Sequence, residues 1–255
     1  MKNMNKRGQA TLFIILGIVL VVLVVLYFVG VQQDIIPPLL GGSNANEEMS
    51  DIDNHVRGCL EEVGMDYVTI LGLQGGYLSP DEGTYRLYND SKISYLCWNQ
   101  VDTSTCTNRM LTEEHMESEL KQAMESALNT CVNVYKYSDD ATVADDWDLT
   151  VDIQRTSVDF VLYYPVQIVK GDDVASQDEF EESLNVPLGE LYEVSQDVVN
   201  DHAAYGDFEQ LIYMLSKLSR YTIYKNRPYP DVLYQVKLRE GDYIFQFAIQ
   251  GEEKV

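Results

Sequence analysis

Histidine is scarce in this chain. There are three, His55, His115 and His202, and no two of the four cysteines stand in CxxC spacing. That argues against a zinc site, which draws on clustered Cys and His. No GxSxG elbow, HExxH, P-loop or GxGxxG occurs, so the sequence carries no catalytic motif and no nucleotide cradle. Neither an enzyme nor a resident cofactor or metal is expected. Basic residues are also few: 18 Lys and Arg against 41 Asp and Glu, a net charge of −23. So acidic a surface repels nucleic acid and anionic lipid headgroups, which excludes both as partners of the folded part. The acids are themselves unevenly placed, because none precedes residue 32.

What the first 31 residues hold instead is an apolar run. Residues 10–31 have no charge and no proline, and Lys2, Lys6 and Arg7 stand before them. A bilayer-crossing helix needs about 20 apolar residues. A secretory signal has a shorter apolar core, about 7–15 residues, and then a small-x-small cleavage site. Residues 32–42, QQDIIPPLLGG, offer no such site. The bases on one flank and the acids on the other orient the span with its N-terminus in the cytoplasm. The protein is therefore expected in the cell membrane as a single-pass chain with its domain outside.

The junction Lys6-Arg7-Gly8-Gln9, set directly against that run, resembles the class III signal peptide of archaeal type IV pilins and pilin-like proteins. The resemblance covers residues 1–31. It implies a prepilin-type peptidase as a partner, cutting between Gly8 and Gln9 on the cytoplasmic side and leaving the apolar helix in place. Losing Lys2, Lys6 and Arg7 removes the charges that hold the helix end at the inner face. The helix is then free to pack with copies of itself or with other envelope proteins. The fifth mature position is Glu in many such pilins and is Phe13 here. That leaves two fates open for the helix, filament spine or lipid anchor.

The chain divides into a basic leader (1–8), the transmembrane or pilin-like helix (9–31), a linker (32–49) with Pro37-Pro38 and Gly41-Gly42, and an acidic α+β domain (50–255). In the domain, residues 50–74 read as a helix capped by Ser50, with Ile52, Val56, Cys59, Leu60, Val63, Tyr67, Ile70 and Leu71 on one stripe. Gly58, Gly64 and Gly72 weaken it and leave it dependent on packing. Residues 84–88 and 92–97 read as a hairpin about Asn89-Asp90-Ser91, which is also an N-glycosylation sequon, with Asn89 the candidate acceptor. A second helix starts at Thr112 and buries Met116, Leu120, Met124, Ala127, Leu128 and Cys131. Residues 147–153 and 157–168 alternate as an antiparallel pair. Residues 179–200 read as mostly helical and 208–224 as another amphipathic helix. Residues 231–250 read as a final hairpin turning at Glu240-Gly241-Asp242. The fold class is therefore α+β, helices with antiparallel hairpins, behind an N-terminal apolar helix.

Four cysteines outside the cytoplasm imply disulfides. The natural pairing, one of three, joins Cys59 to Cys131, both on helical stripes, and Cys97 to Cys106 around a polar octapeptide. His55 stands one turn before Cys59, so a base and nucleophile pair is conceivable there; a bridged Cys59 removes it. The stretch DDATVADDWD is an acidic loop in which calcium could be imagined, but it lacks the EF-hand order. The segment CLEEVGMDYVTILGLQGGYL, between the N-terminal helix and the later cysteine-bearing helix, resembles a group of uncharacterised archaeal envelope proteins and implies no activity. Two functions follow as expectations. One is a pilin-like filament, adhesion or structural component of the cell envelope. The other is a signal-anchored surface domain that binds a ligand or partner without polymerising.

Overall fold

The computed structural model describes residues 44–99, 106–144 and 146–251. The leader, the Gly8–Gln9 junction, the apolar stretch 9–31 and most of the linker lie outside the described residues. Among the described residues no helix is long and apolar enough to cross a membrane.

Helix α1 spans Ala45–Leu73, so it begins before Ser50, inside the stretch expected as linker. Its start is set from a distant part of the chain. The free N–H groups and positive dipole of a helix N-terminus favour a carboxylate. The Asp173 carboxylate supplies one, accepting from Ala45 N at 2.8 Å across 128 residues. Glu48 in the first turn is buried and paired with Lys170. No local pattern around Ser50 could show this. The expected stripe holds for Ile52, Val56, Cys59, Leu60 and Leu71, with Val63 and Tyr67 half-buried against the core; Gly64, Val68 and Gly72 join it, and Ile70 is exposed. Gly64 and Gly72 let the helix approach its neighbours closely. A Cβ at Gly64 would stand 2.8 Å from the Phe160 ring, and one at Gly72 would stand 2.5 Å from the Tyr243 hydroxyl and 2.7 Å from the Ile244 carbonyl. Gly58 faces open space.

Two sheets follow. In the first, β1 (Tyr85–Tyr88) and β2 (Ser91–Asn99) form the expected hairpin, turning at Asn89 and Asp90, both with positive φ. Asn and Asp tolerate that conformation, which two-residue hairpin turns require. Strand β3 (Cys106–Asn108) also pairs with β2. Helix α2 (Glu113–Cys131) comes next, capped by Thr112, whose hydroxyl accepts from His115 N; it buries Met116, Leu120, Met124 and Leu128. The second sheet is built from β4 (Ala141–Val143), β5 (Asp148–Ile153), β6 (Val158–Lys170) and β7 (Asp173–Leu184). β6 is its centre, with β7 along one edge and β5 then β4 along the other. After helices α3 (Leu188–Tyr205) and α4 (Gln210–Ser216), the chain returns to the first sheet with β8 (Tyr221–Asn226), β9 (Val232–Leu238) and β10 (Phe245–Ile249). Its order is β1-β2-β10-β9-β8, with β2 and β10 parallel and the other pairs antiparallel.

Helices α1 and α2 cover one face of the second sheet, α3 packs on the first, and α1 reaches both through β7 and β10. One core runs through the two, with Phe160, Phe180, Tyr234, Phe245 and Phe247 buried in it. The other face of the second sheet is open and acidic, Asp152 standing beside Asp159.

Two expected helices are corrected. Residues 179–184 are strand, and α3 starts at Leu188. Phe180 and Leu184 are buried four residues apart, a helical spacing, while the acids between them lie along an extended edge strand. Charged residues of this kind protect a sheet edge from pairing with another chain. The helix expected over 208–224 is α4 alone, followed by strand β8. Leu218 and Ser219 break it with positive φ. Leu211, Ile212 and Leu215 face solvent, and Phe208, Tyr213 and Met214 face the core. The period was helical, but the buried side is set by tertiary contact.

Replacing Gly58 with Ala should stabilise the domain by about 1 kcal/mol through helix propensity. The same change at Gly72 should cost about 1–3 kcal/mol through overpacking against Tyr243. Equilibrium urea unfolding of the two variants checks this. Equal shifts in one direction would contradict the packing of α1.

Candidate functional site

After α1 the chain reverses at Gly75 and Gly76, both with positive φ, and a Cβ at Gly76 would stand 2.8 Å from Met116 Sδ. The reversal lays residues 77–84 across the start of α2. Gln74 pins the segment by donating to the carbonyls of Tyr77 and Leu78. Leu78 N donates to Glu119 Oε2 at 2.8 Å, and the Tyr77 hydroxyl donates to the Arg109 carbonyl at 2.8 Å. Thr84 closes the turn on Asp81 O through both its amide and its hydroxyl. Arg109 follows β3, its amide bonded to Leu96 O, its guanidinium 5.5 Å from the centre of the Trp98 ring.

Together these elements enclose a polar recess of about 200 Å³ lined by Tyr77, Ser79, Asp81, Thr84, Ser94, Tyr95, Arg109, His115 and Glu119. His115 Nε2 and Glu119 Oε1 are 3.8 Å apart on its α2 side. Burial raises the Tyr77 phenol, against the pull of Arg109. The Tyr95 phenol is pushed up to about 12 by burial and by the bond it donates to Asp231 at 2.8 Å. Both stay protonated at neutral pH. Ser94 is 2% exposed, and its Oγ has no hydrogen-bond partner among the described residues. The recess holds hydroxyls, two carboxylates, one guanidinium and the His115 imidazole, a set that can hydrogen-bond polar groups. None of these residues stands out in the sequence. They come from four separate segments, and the glycine reversal that joins them is the one local signal.

The cysteines fall as paired from the sequence. Cys59 and Cys131 bridge α1 to the end of α2, with Cα atoms 5.8 Å apart and a separation of 72 residues. Cys97 and Cys106 bridge β2 to β3 at 5.3 Å with a separation of 9. Among the described residues no cysteine is free. Loop-closure entropy assigns the longer bridge about 4 kcal/mol and the shorter about 3 kcal/mol. Disulfides persist in oxidising compartments, so both fit an extracytoplasmic domain. Bridged, Cys59 has no thiolate to serve as a nucleophile. His55 lies 3.9 Å from its sulfur and accepts from Asn133 N at 3.3 Å, holding the end of α2.

Asn89 sits exposed on the β1–β2 turn. The acidic stretch after Asp139 is not one wrapping loop, because Ala141–Val143 pairs with β6. Among the described residues no three His, Cys, Asp or Glu side chains are grouped to hold a metal ion. Tyr221 and Tyr234 are buried, whereas Tyr163, Tyr224 and Tyr229 are exposed.

Two buried ionisable groups brace α3. Glu190 is fully buried, held by Arg220 at 2.5 and 2.7 Å and by the Tyr221 hydroxyl at 2.7 Å, which lower its carboxyl. His202 shares a 2.7 Å hydrogen bond with the Tyr234 hydroxyl. Burial pushes its imidazole down to about 4, partly offset by Asp207 and assisted by Lys225 and Arg227.

No protein-family model matches the chain, and neither a curated protein nor a solved structure matches it.

Burial of His202 makes the stability of the domain depend on pH. Unfolded, its imidazole takes a proton near 6.5; folded, it takes one near 4. Between those values the unfolded state binds the extra proton, so stability falls as pH drops through that window. Thermal unfolding followed by circular dichroism should show the loss from pH 6.5 downward. In His202→Gln the midpoint should stay level to about pH 5, below which Glu190 protonation takes over. An unchanged slope in the variant would contradict this.

Proposed function

We propose that this chain is a pilin-like component of the cell envelope, exported with its acidic α+β domain outside. The observation that supports this best is the pair of disulfides, which fit an oxidising compartment. It agrees with the orientation expected from the basic flank and the apolar run. In this reading the peptidase removes residues 1–8 and Gln9 becomes the mature N-terminus. The retained helix then serves as a filament spine or a lipid anchor, and the folded domain supplies the surface.

The acidic surface suits a soluble outer face and disfavours adhesion to nucleic acid or anionic lipid. The polar recess favours a second element of function, recognition of a ligand by the domain, which holds whether or not the chain polymerises.

The mass of the mature N-terminus in the native membrane or in sheared surface material decides the processing. A chain starting at Gln9 is expected, and Gly8→Val should accumulate the uncut form. A wild-type chain starting at Met1 would overturn the pilin-like reading and leave a signal-anchored domain.

A further inference from the structure

We propose that the recess between residues 77–84, β2 and the start of α2 binds a neutral, multiply hydroxylated ligand the size of one monosaccharide. Its lining is the first reason. Ser94 is one of the residues lining the recess, and its buried hydroxyl has no partner among the described residues. A buried polar group without a partner is unfavourable unless something else bonds to it. A serine there, where alanine would pack without that penalty, points to a partner that arrives from outside.

Charge then selects the class. Asp81 and Glu119 line the recess and the whole chain carries −23, so an anion is repelled on approach and within. Arg109 offsets one of the two carboxylates, and the His115 ring adds further hydrogen-bonding atoms. A neutral polyol uses both signs: its hydroxyls donate to the carboxylates and accept from the guanidinium and from Ser94. Tyr77 leaves its ring for contact, because its hydroxyl is committed to the Arg109 carbonyl. The size agrees. A cavity of about 150 Å³ accepts benzene, and this one, at about 200 Å³, takes a single sugar ring. The walls are preset. Leu78 N is bonded to Glu119, and the Cys97–Cys106 bridge fixes the β2–β3 pair from which Arg109 extends. Little ordering is then needed on binding.

The same chemistry arrives as a free sugar or as the end of a glycan chain. The site is independent of N-terminal processing, so either reading can fail alone.

The test uses the full chain in detergent, with glucose, galactose, mannose and their methyl glycosides as probes at millimolar concentration. Binding is read by saturation-transfer NMR and calorimetry. At least one sugar should bind saturably. Ser94→Ala should weaken it about tenfold while leaving the melting temperature unchanged or higher, and Arg109→Gln should weaken it as well. Methyl glycosides binding as well as free sugars would assign the site to glycan ends, and binding of free sugars alone to a soluble ligand. The proposal is overturned if no sugar saturates, if both variants bind as the parent does, or if zwitterionic glycine and lysine bind more tightly than every sugar.

Discussion

Everything in the domain hangs on the seating of α1. This one helix touches both sheets, and it can do so because Gly64 and Gly72 let its backbone close onto Phe160 and onto the β9–β10 turn. Long-range ties hold it there along its length. Asp173 caps its first turn, Cys59–Cys131 clasps its middle to α2, and the Tyr243 hydroxyl donates to Val68 O near its end. A helix with three interior glycines has weak intrinsic propensity, so these contacts and not the local sequence make it one continuous element. The core that joins the two sheets is built around the result.

The parts that the sequence showed clearly are those whose burial follows a simple period. Thr112 as cap, the Met116–Leu120–Met124 stripe, the Asn89-Asp90 turn and the alternation of β5 and β6 all translate directly into structure. Misread elements share one cause, a pattern whose buried face is chosen at long range. The β7 segment carries Phe180 and Leu184 at helical spacing but is an edge strand on β6, and α4 turns its leucines outward. The Ser50 cap failed for a similar reason, since the real cap comes from Asp173. The disulfide pairing was legible because helix stripes and a short loop bring the right sulfurs together. The recess was not, since Tyr77, Ser94, Arg109 and Glu119 are ordinary residues until the Gly75-Gly76 reversal gathers them.

These features fit one physical setting. An acidic exterior keeps the folded part soluble and away from anionic surfaces. Bridges across separations of 72 and 9 residues resist unfolding in an oxidising compartment, where reductants are scarce. Charged residues along the β7 edge guard against sheet-to-sheet association. Within such a domain the polar recess is the feature best arranged for recognition.

The central claim, a domain folded around α1 in an oxidising compartment, is tested most directly by mapping the cysteines of protein taken from its own cells. Free thiols are blocked at lysis, the chain is digested without reduction, and linked peptides are identified by mass. The account predicts Cys59 linked to Cys131 and Cys97 linked to Cys106, with no blocked cysteine. Four blocked cysteines, or any other pairing, would contradict it.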